Sequence, residues 1–169
     1  YVARLMQHIA EPFVEVCPAD AVRFSLCDGQ LARISSPRGV MVARVRISDG
    51  QREGNAFVPM HWNTEFARQG KVNALVEGRC DPVSGQPESK QTAVRILPWQ
   101  PACQGELYAR EWPEMPSSAY WWRKASRLTV AGDQPLLPWV MEYASARGWQ
   151  LQVAQTGERS SVLAWHEGQ

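Results

Sequence analysis

The sequence has no Cys-x-x-Cys pair, no apolar run of membrane-spanning length, no excess of either charge and only three histidines. Each absence excludes something. Cys17, Cys27, Cys80 and Cys103 lie at wide, irregular intervals, which excludes a zinc or iron–sulfur knuckle and favours reduced, mostly buried thiols. His8, His61 and His166 are too scattered for a metal triad, so no metal-ligating residue is assigned. Eighteen basic against seventeen acidic residues, a formal net charge of +1, argues against a nucleic-acid surface. Without a long apolar run, no membrane span is expected. The chain opens on Tyr1 with neither Met nor a signal-peptide pattern, and is expected to be a piece of a longer protein.

The composition that remains, 44% hydrophobic and 21% charged over 169 residues, suits one globular domain with a small appendage. The informative stretch runs from Phe57 to Lys90. Pro59, Pro82 and Pro87 alternate there with Gly70, Gly78 and Gly85, so regular helix or strand is not expected through most of it. Long loops in compact domains are usually functional or disordered. Trp62, Phe66, Val72 and Leu75 supply too much apolar surface for a free linker, so an ordered binding loop is expected.

Around that loop the pattern is one of short strands. Phe13–Val16 reads as a strand, and Pro18–Val22 as a helical turn with Pro at a permitted first-turn position. Leu31–Ser35 and Val40–Ile47 form a hairpin about the turn Ser36-Pro37-Arg38-Gly39. Met41, Ala43, Val45 and Ile47 share one face of its second arm, against Val42, Arg44 and Arg46 on the other. Ala56–Val58 and Ala93–Leu97 add strands on either side of the loop, and Pro98 stops the second. Further on, Ser117-Ser118 are expected to cap a helix through Ala125, and Asp133 a helix to Arg147 with Gly148 as its stop. Trp149–Val153 and Ser161–Trp165 read as two strands joined around Thr156-Gly157.

Three runs carry a resemblance: Phe57-Val-Pro-Met-His-Trp62, Val72-Asn-Ala-Leu75 and Asp81-Pro-Val-Ser-Gly-Gln-Pro-Glu-Ser-Lys90. With Arg4–His8, Glu11–Val16 and Pro18–Ala21, they make the chain resemble the C-terminal domain of molybdopterin oxidoreductases, most closely the bacterial assimilatory nitrate reductases. The likeness departs at Cys17, where it implies His. It implies a mainly β fold: a six-stranded double-psi β-barrel over residues 1–99, then a linker and a small α+β extension over 100–169. It also implies a cytoplasmic parent enzyme that reduces nitrate to nitrite at molybdenum held by two molybdopterin guanine dinucleotides. The molybdenum ligand and an iron–sulfur cluster would belong to upstream domains of the same polypeptide, the implied partners of this one. By itself the chain is expected neither to catalyse nor to hold the cofactor tightly.

The cofactor-binding residues that follow are His61, Trp62, Asn73, Ser84, Gly85, Gln86 and Lys90, with no catalytic residue among them. Asn73 offers an amide donor and acceptor for a pterin or guanine edge, or else holds a turn. Lys90 is a mobile cation for a pyrophosphate or the pterin, or else a solvated lysine. His61 and Trp62 have the flat surface to pack on a heterocycle, although Trp62 equally suits a core. Ser84, Gly85 and Gln86 have backbone N–H groups and an amide for phosphate or ring atoms, with a plain turn as the rival. Asp81-Pro82 is expected to be structural. Arg44 and Arg46 are assigned to solvent or interdomain positions, and Trp112, Trp121 and Trp122 to packing.

Two other classes remain in view. A formate dehydrogenase of the same superfamily shares the looser pattern, and double-psi barrels also serve as peptide-binding modules of AAA-type chaperones. The self-processing decarboxylase with this barrel needs a Gly-Ser cleavage site, which the sequence lacks.

Overall fold

Alternation in the sequence turns directly into a curled sheet. The structure, a computed structural model, describes residues 11–60, 62–88, 91–108, 114–124, 127–156 and 159–165. Strands β1 (Phe13–Val16), β2 (Leu31–Ser35), β3 (Val40–Ile47), β4 (Ala56–Phe57) and β5 (Arg95–Pro98) form one five-stranded sheet in the order β4-β1-β3-β2-β5. Helix α1 (Pro18–Arg23) follows β1, which runs parallel to β3 with Val14 opposite Val45, while the other pairings are antiparallel. The mainly β expectation is borne out, and each strand expected before residue 99 is present.

Val14, Ile34, Met41, Ala43 and Val45 are buried together on the concave face. Each large aliphatic side chain buried there contributes about 1.5–3 kcal/mol. Two local devices fix the ends of this sheet. Cys17 takes the N-cap position of α1, its sulfur accepting the Asp20 N–H at 3.4 Å. Buried Asp20 in turn accepts the Gly54 N–H at 2.7 Å, tying α1 to the turn that leads into β4.

A second sheet, in the order β6-β8-β7, combines β6 (Cys103–Tyr108), β7 (Tyr120–Lys124) and β8 (Arg127–Gly132). Helix α2 (Leu137–Ser145) and the antiparallel hairpin β9 (Gln150–Thr156) and β10 (Arg159–Trp165) complete the extension. This region corrects several expectations. The helix expected after Ser117-Ser118 is strand β7, because Tyr120, Trp121 and Trp122 have strand propensity and pair with Ala131, Val130 and Thr129. Strands β6 and β8 were not expected.

Asp133 is not a helix cap. It pairs with Arg33 at 2.5 Å and accepts the Trp99 indole N–H at 2.8 Å, and α2 begins at Leu137 without a side-chain cap. The helix ends at Ser145, two residues before the expected Arg147, and the turn that follows runs to Gly148, whose φ of 65° lets the Trp149 amide reach back to Ala144. The thiols are free, but Cys27 and Cys80 are exposed, so the expected burial holds only for Cys17 and in part for Cys103. No helix among the described residues is long and apolar enough to cross a membrane.

The two sheets share a core. Leu31, Val42, Trp62, Ala67, Trp99 and Trp122 form a buried cluster on the far side of β2 and β3, so Val42 is covered on a face expected to be open. The segment between the sheets contributes backbone as well. The Val42 N–H donates to the Gln69 carbonyl at 2.7 Å, and the Arg68 N–H to the Trp121 carbonyl at 2.9 Å. Ala67 also bridges to Trp122. The turn of the β2–β3 hairpin presses from the other side. A Cβ at Gly39 would stand 2.6 Å from the Ala74 carbonyl oxygen, which is backbone and cannot swing away. Gly39→Ala should therefore cost about 1–3 kcal/mol in urea unfolding, as overpacking does; a cost within experimental error would show that the two turns do not touch.

Candidate functional site

β4 and β5 are the two edges of the five-stranded sheet, and the sheet curls until both border one cavity of about 600 Å³. Val14 and Ile34 form its floor, and Phe57, Met60 and Val94 its partly exposed rim. Among the described residues that line it none is charged; Asn73 and Thr92 are the polar members. Asn73 sits exposed on a single 3-10 turn, Val72–Ala74, that closes one wall. The turn is held from beneath: the Ser36 hydroxyl donates to the Leu75 carbonyl at 2.7 Å, and the Leu75 side chain is buried in the first core. The Thr92 hydroxyl is buried and has no hydrogen-bond partner. Apolar walls with a few convergent polar groups are the usual chemistry of a small-molecule site.

Beyond Val76 the chain forms a narrow exposed hairpin. The Cys80–Pro87 bridge closes it, and the Glu88 N–H donates to the Arg79 carbonyl at 2.9 Å. Asp81 organises its tip. One carboxylate oxygen accepts the Ser84 N–H at 2.7 Å, the Ser84 hydroxyl at 2.9 Å and the Val83 N–H at 3.0 Å. These bonds, chiefly those from Ser84, hold the Asp81 carboxyl below its ordinary value. The Gly85 N–H donates to the Asp81 carbonyl and the Gln86 N–H to the Ser84 hydroxyl. The structural role expected for Asp81 is thus observed.

The sequence model for the molydopterin dinucleotide binding domain matches residues 2–93, more than half of the 169 residues. This chain belongs to the molybdopterin dinucleotide-binding domain family. It is 55% identical to a nitrate reductase of Klebsiella oxytoca over 99% of its own length and 20% of that protein's. It is 38% identical to the assimilatory nitrate reductase catalytic subunit of Bacillus subtilis over 52% of this chain and 12% of that one. A formate dehydrogenase subunit alpha of Methanocaldococcus jannaschii is 33% identical over 54% of this chain and 13% of its own. The chain thus spans about one fifth or less of the length of these curated relatives.

Within this molybdopterin dinucleotide-binding domain, the expected site residues fall into separate places. Asn73 lines the cavity. Ser84, Gly85 and Gln86 stand on the exposed hairpin, where their backbone N–H groups already bond within the loop. Trp62 is 6% exposed and packs in the core between the sheets, with its indole N–H buried and unpartnered. His61 and Lys90 lie outside the described residues. Thr92 and the rim residues Phe57 and Met60 were not anticipated. Thr92 stands only two positions after Lys90, but an isolated threonine before a strand carries no signal of its own.

The hairpin gives a sign-defined pH test. With its folded value depressed, Asp81 stabilises the loop above the unfolded value, and this is lost as pH falls through the folded value. The Val83 and Ser84 amide resonances should titrate with a midpoint below the ordinary carboxylate value, and Asp81→Asn should abolish the transition. A midpoint at or above that value would mean that these bonds do not favour the carboxylate.

Proposed function

We propose that this chain is the cofactor-enclosing C-terminal domain of a molybdenum-dependent nitrate reductase of nitrate assimilation, and that it holds molybdopterin guanine dinucleotide. The observation that carries this reading is the 55% identity to the Klebsiella oxytoca nitrate reductase, which runs through the extension as well as the family domain. A formate dehydrogenase role is the second reading, favoured by the Methanocaldococcus jannaschii relative, but that likeness covers only 54% of the chain. On the first reading the parent enzyme is cytoplasmic, and upstream domains of the same polypeptide supply the molybdenum ligand and an iron–sulfur cluster. The curled sheet is then five strands of a double-psi barrel that closes over the apolar cavity.

When bound, the molybdenum cofactor supplies the redox chemistry, and the protein supplies binding, orientation and exclusion of water. The residues present suit that division. A cavity whose described lining is uncharged, with one amide at its mouth and one unpartnered hydroxyl, fits a flat, hydrogen-bonding heterocycle. Its described lining offers no counter-charge for a pyrophosphate, a task that falls to Lys90, which follows the hairpin in sequence. Gln86 contributes its side-chain amide, since its loop's backbone donors bond internally. His61 is assigned to packing against the heterocycle.

In the full-length enzyme, Asn73→Ala and Lys90→Ala should each weaken pterin and molybdenum retention about fivefold or more, as loss of a good hydrogen bond or charge contact does. Unchanged retention in the double variant would remove both residues from the site. Thr92→Val separates two outcomes. If the hydroxyl meets the cofactor, retention falls while the stability of the cofactor-free protein holds or rises, because a buried orphan has been removed. If retention is unchanged, the hydroxyl faces no ligand.

A further inference from the structure

The extension lies beyond the matched family domain, yet its hydrogen bonds converge on the loop that carries Asn73. The free edge of β7 takes Ala67 as a bridge partner of Trp122 and accepts the Arg68 N–H at the Trp121 carbonyl, 2.9 Å. The Arg68 guanidinium donates to the Pro116 carbonyl at 3.2 Å. One residue later, Gln69 bonds β3 through the Val42 N–H at 2.7 Å. Ala67–Gln69 is therefore a short hydrogen-bonded link between the two sheets, and Asn73 follows it by four residues.

The joint is clamped a second time from the middle of β2. Arg33 pairs with Asp133 at 2.5 Å, and its guanidinium lies 4.8 Å from the Trp99 ring centre and 5.4 Å from that of Tyr120. Asp133 also accepts the Trp99 indole N–H, and Trp99 packs on Tyr120 at 4.7 Å. Asp133 is half-exposed, so its ion pair alone is worth little in water. The joined contacts hold β2 and the second sheet at a fixed spacing, and the loop runs through the space between them.

We propose that the C-terminal extension is a positioning brace for the cofactor wall: Asp133 and Trp122 hold the two sheets so that the Ala67–Gln69 link sets the place of Asn73. The link to the cofactor rests on the function proposed above, whereas the brace itself does not. Both are positioning residues, and neither lines the cavity.

Hydrogen exchange on the full-length protein separates the two parts. Asp133→Ala should speed exchange of peptides covering residues 67–75 about tenfold, the scale of a lost charged hydrogen bond, and leave those of β1 and of the Arg44–Ile47 end of β3, which pairs with β1, unchanged. Asp133→Glu should restore protection in part. Trp122→Phe, which thins the joint from its other end, should act in the same direction. Unaltered loop protection, or equal loss in β1 and the Arg44–Ile47 end of β3, overturns the brace. Pterin release from the loaded enzyme is the second readout. Faster release in step with loop exchange supports the whole inference; faster loop exchange with unchanged release keeps the brace and overturns the assignment of this loop to the cofactor.

Discussion

The rest of the structure depends on the apolar core between the two sheets. Trp62, Trp99 and Trp122 pack with Leu31, Val42 and Ala67 where the curled sheet and the extension meet. Truncating a buried tryptophan typically costs about 3–5 kcal/mol, a large share of the stability of a domain. That core explains why a loop rich in proline and glycine is ordered. Its first part is a strand-like insert with apolar anchors, and the satisfied backbone of Arg68, Gln69 and Val42 leaves little to gain from solvent.

From this anchor the long loop divides into three pieces with different work. Trp62 to Gln69 is structural. Val72 to Val76 turns back over the concave face and presents Asn73 at a cavity with no charge among its described lining residues. Arg79 to Glu88 projects as a hairpin whose tip is closed by Asp81. On the proposed function, a wall held in place by these bonds lowers the ordering cost of binding. The apolar rim of Phe57, Met60 and Val94 is exposed here, in a chain one fifth as long as its Klebsiella oxytoca relative.

Much of the first sheet was legible because its signals are local. The alternation of Met41, Ala43 and Val45, and the turn at Ser36–Gly39, need no distant partner to be read. The extension was less legible because tertiary contacts overrode local signals there. Two serines before Ala119 look like a helix cap, but Tyr120 to Trp122 gain more from pairing with β8. Asp133 precedes a helical pattern and resembles an N-cap, yet an arginine one hundred positions away claims it. The ordered loop was readable from composition, and the family likeness singled out Asn73, which lines the cavity. Trp62 was ambiguous because an aromatic suited to stacking is equally suited to a core, and Thr92 was invisible because only its geometry distinguishes it.

The most direct measurement is reduced-viologen turnover by the full-length protein, purified with its molybdenum from molybdate-supplied cells and offered nitrate and formate in parallel. The account predicts nitrite from nitrate and no oxidation of formate. Formate oxidation without nitrite, from protein that carries molybdenum, would contradict the nitrate reductase reading while leaving the cofactor-binding family in place.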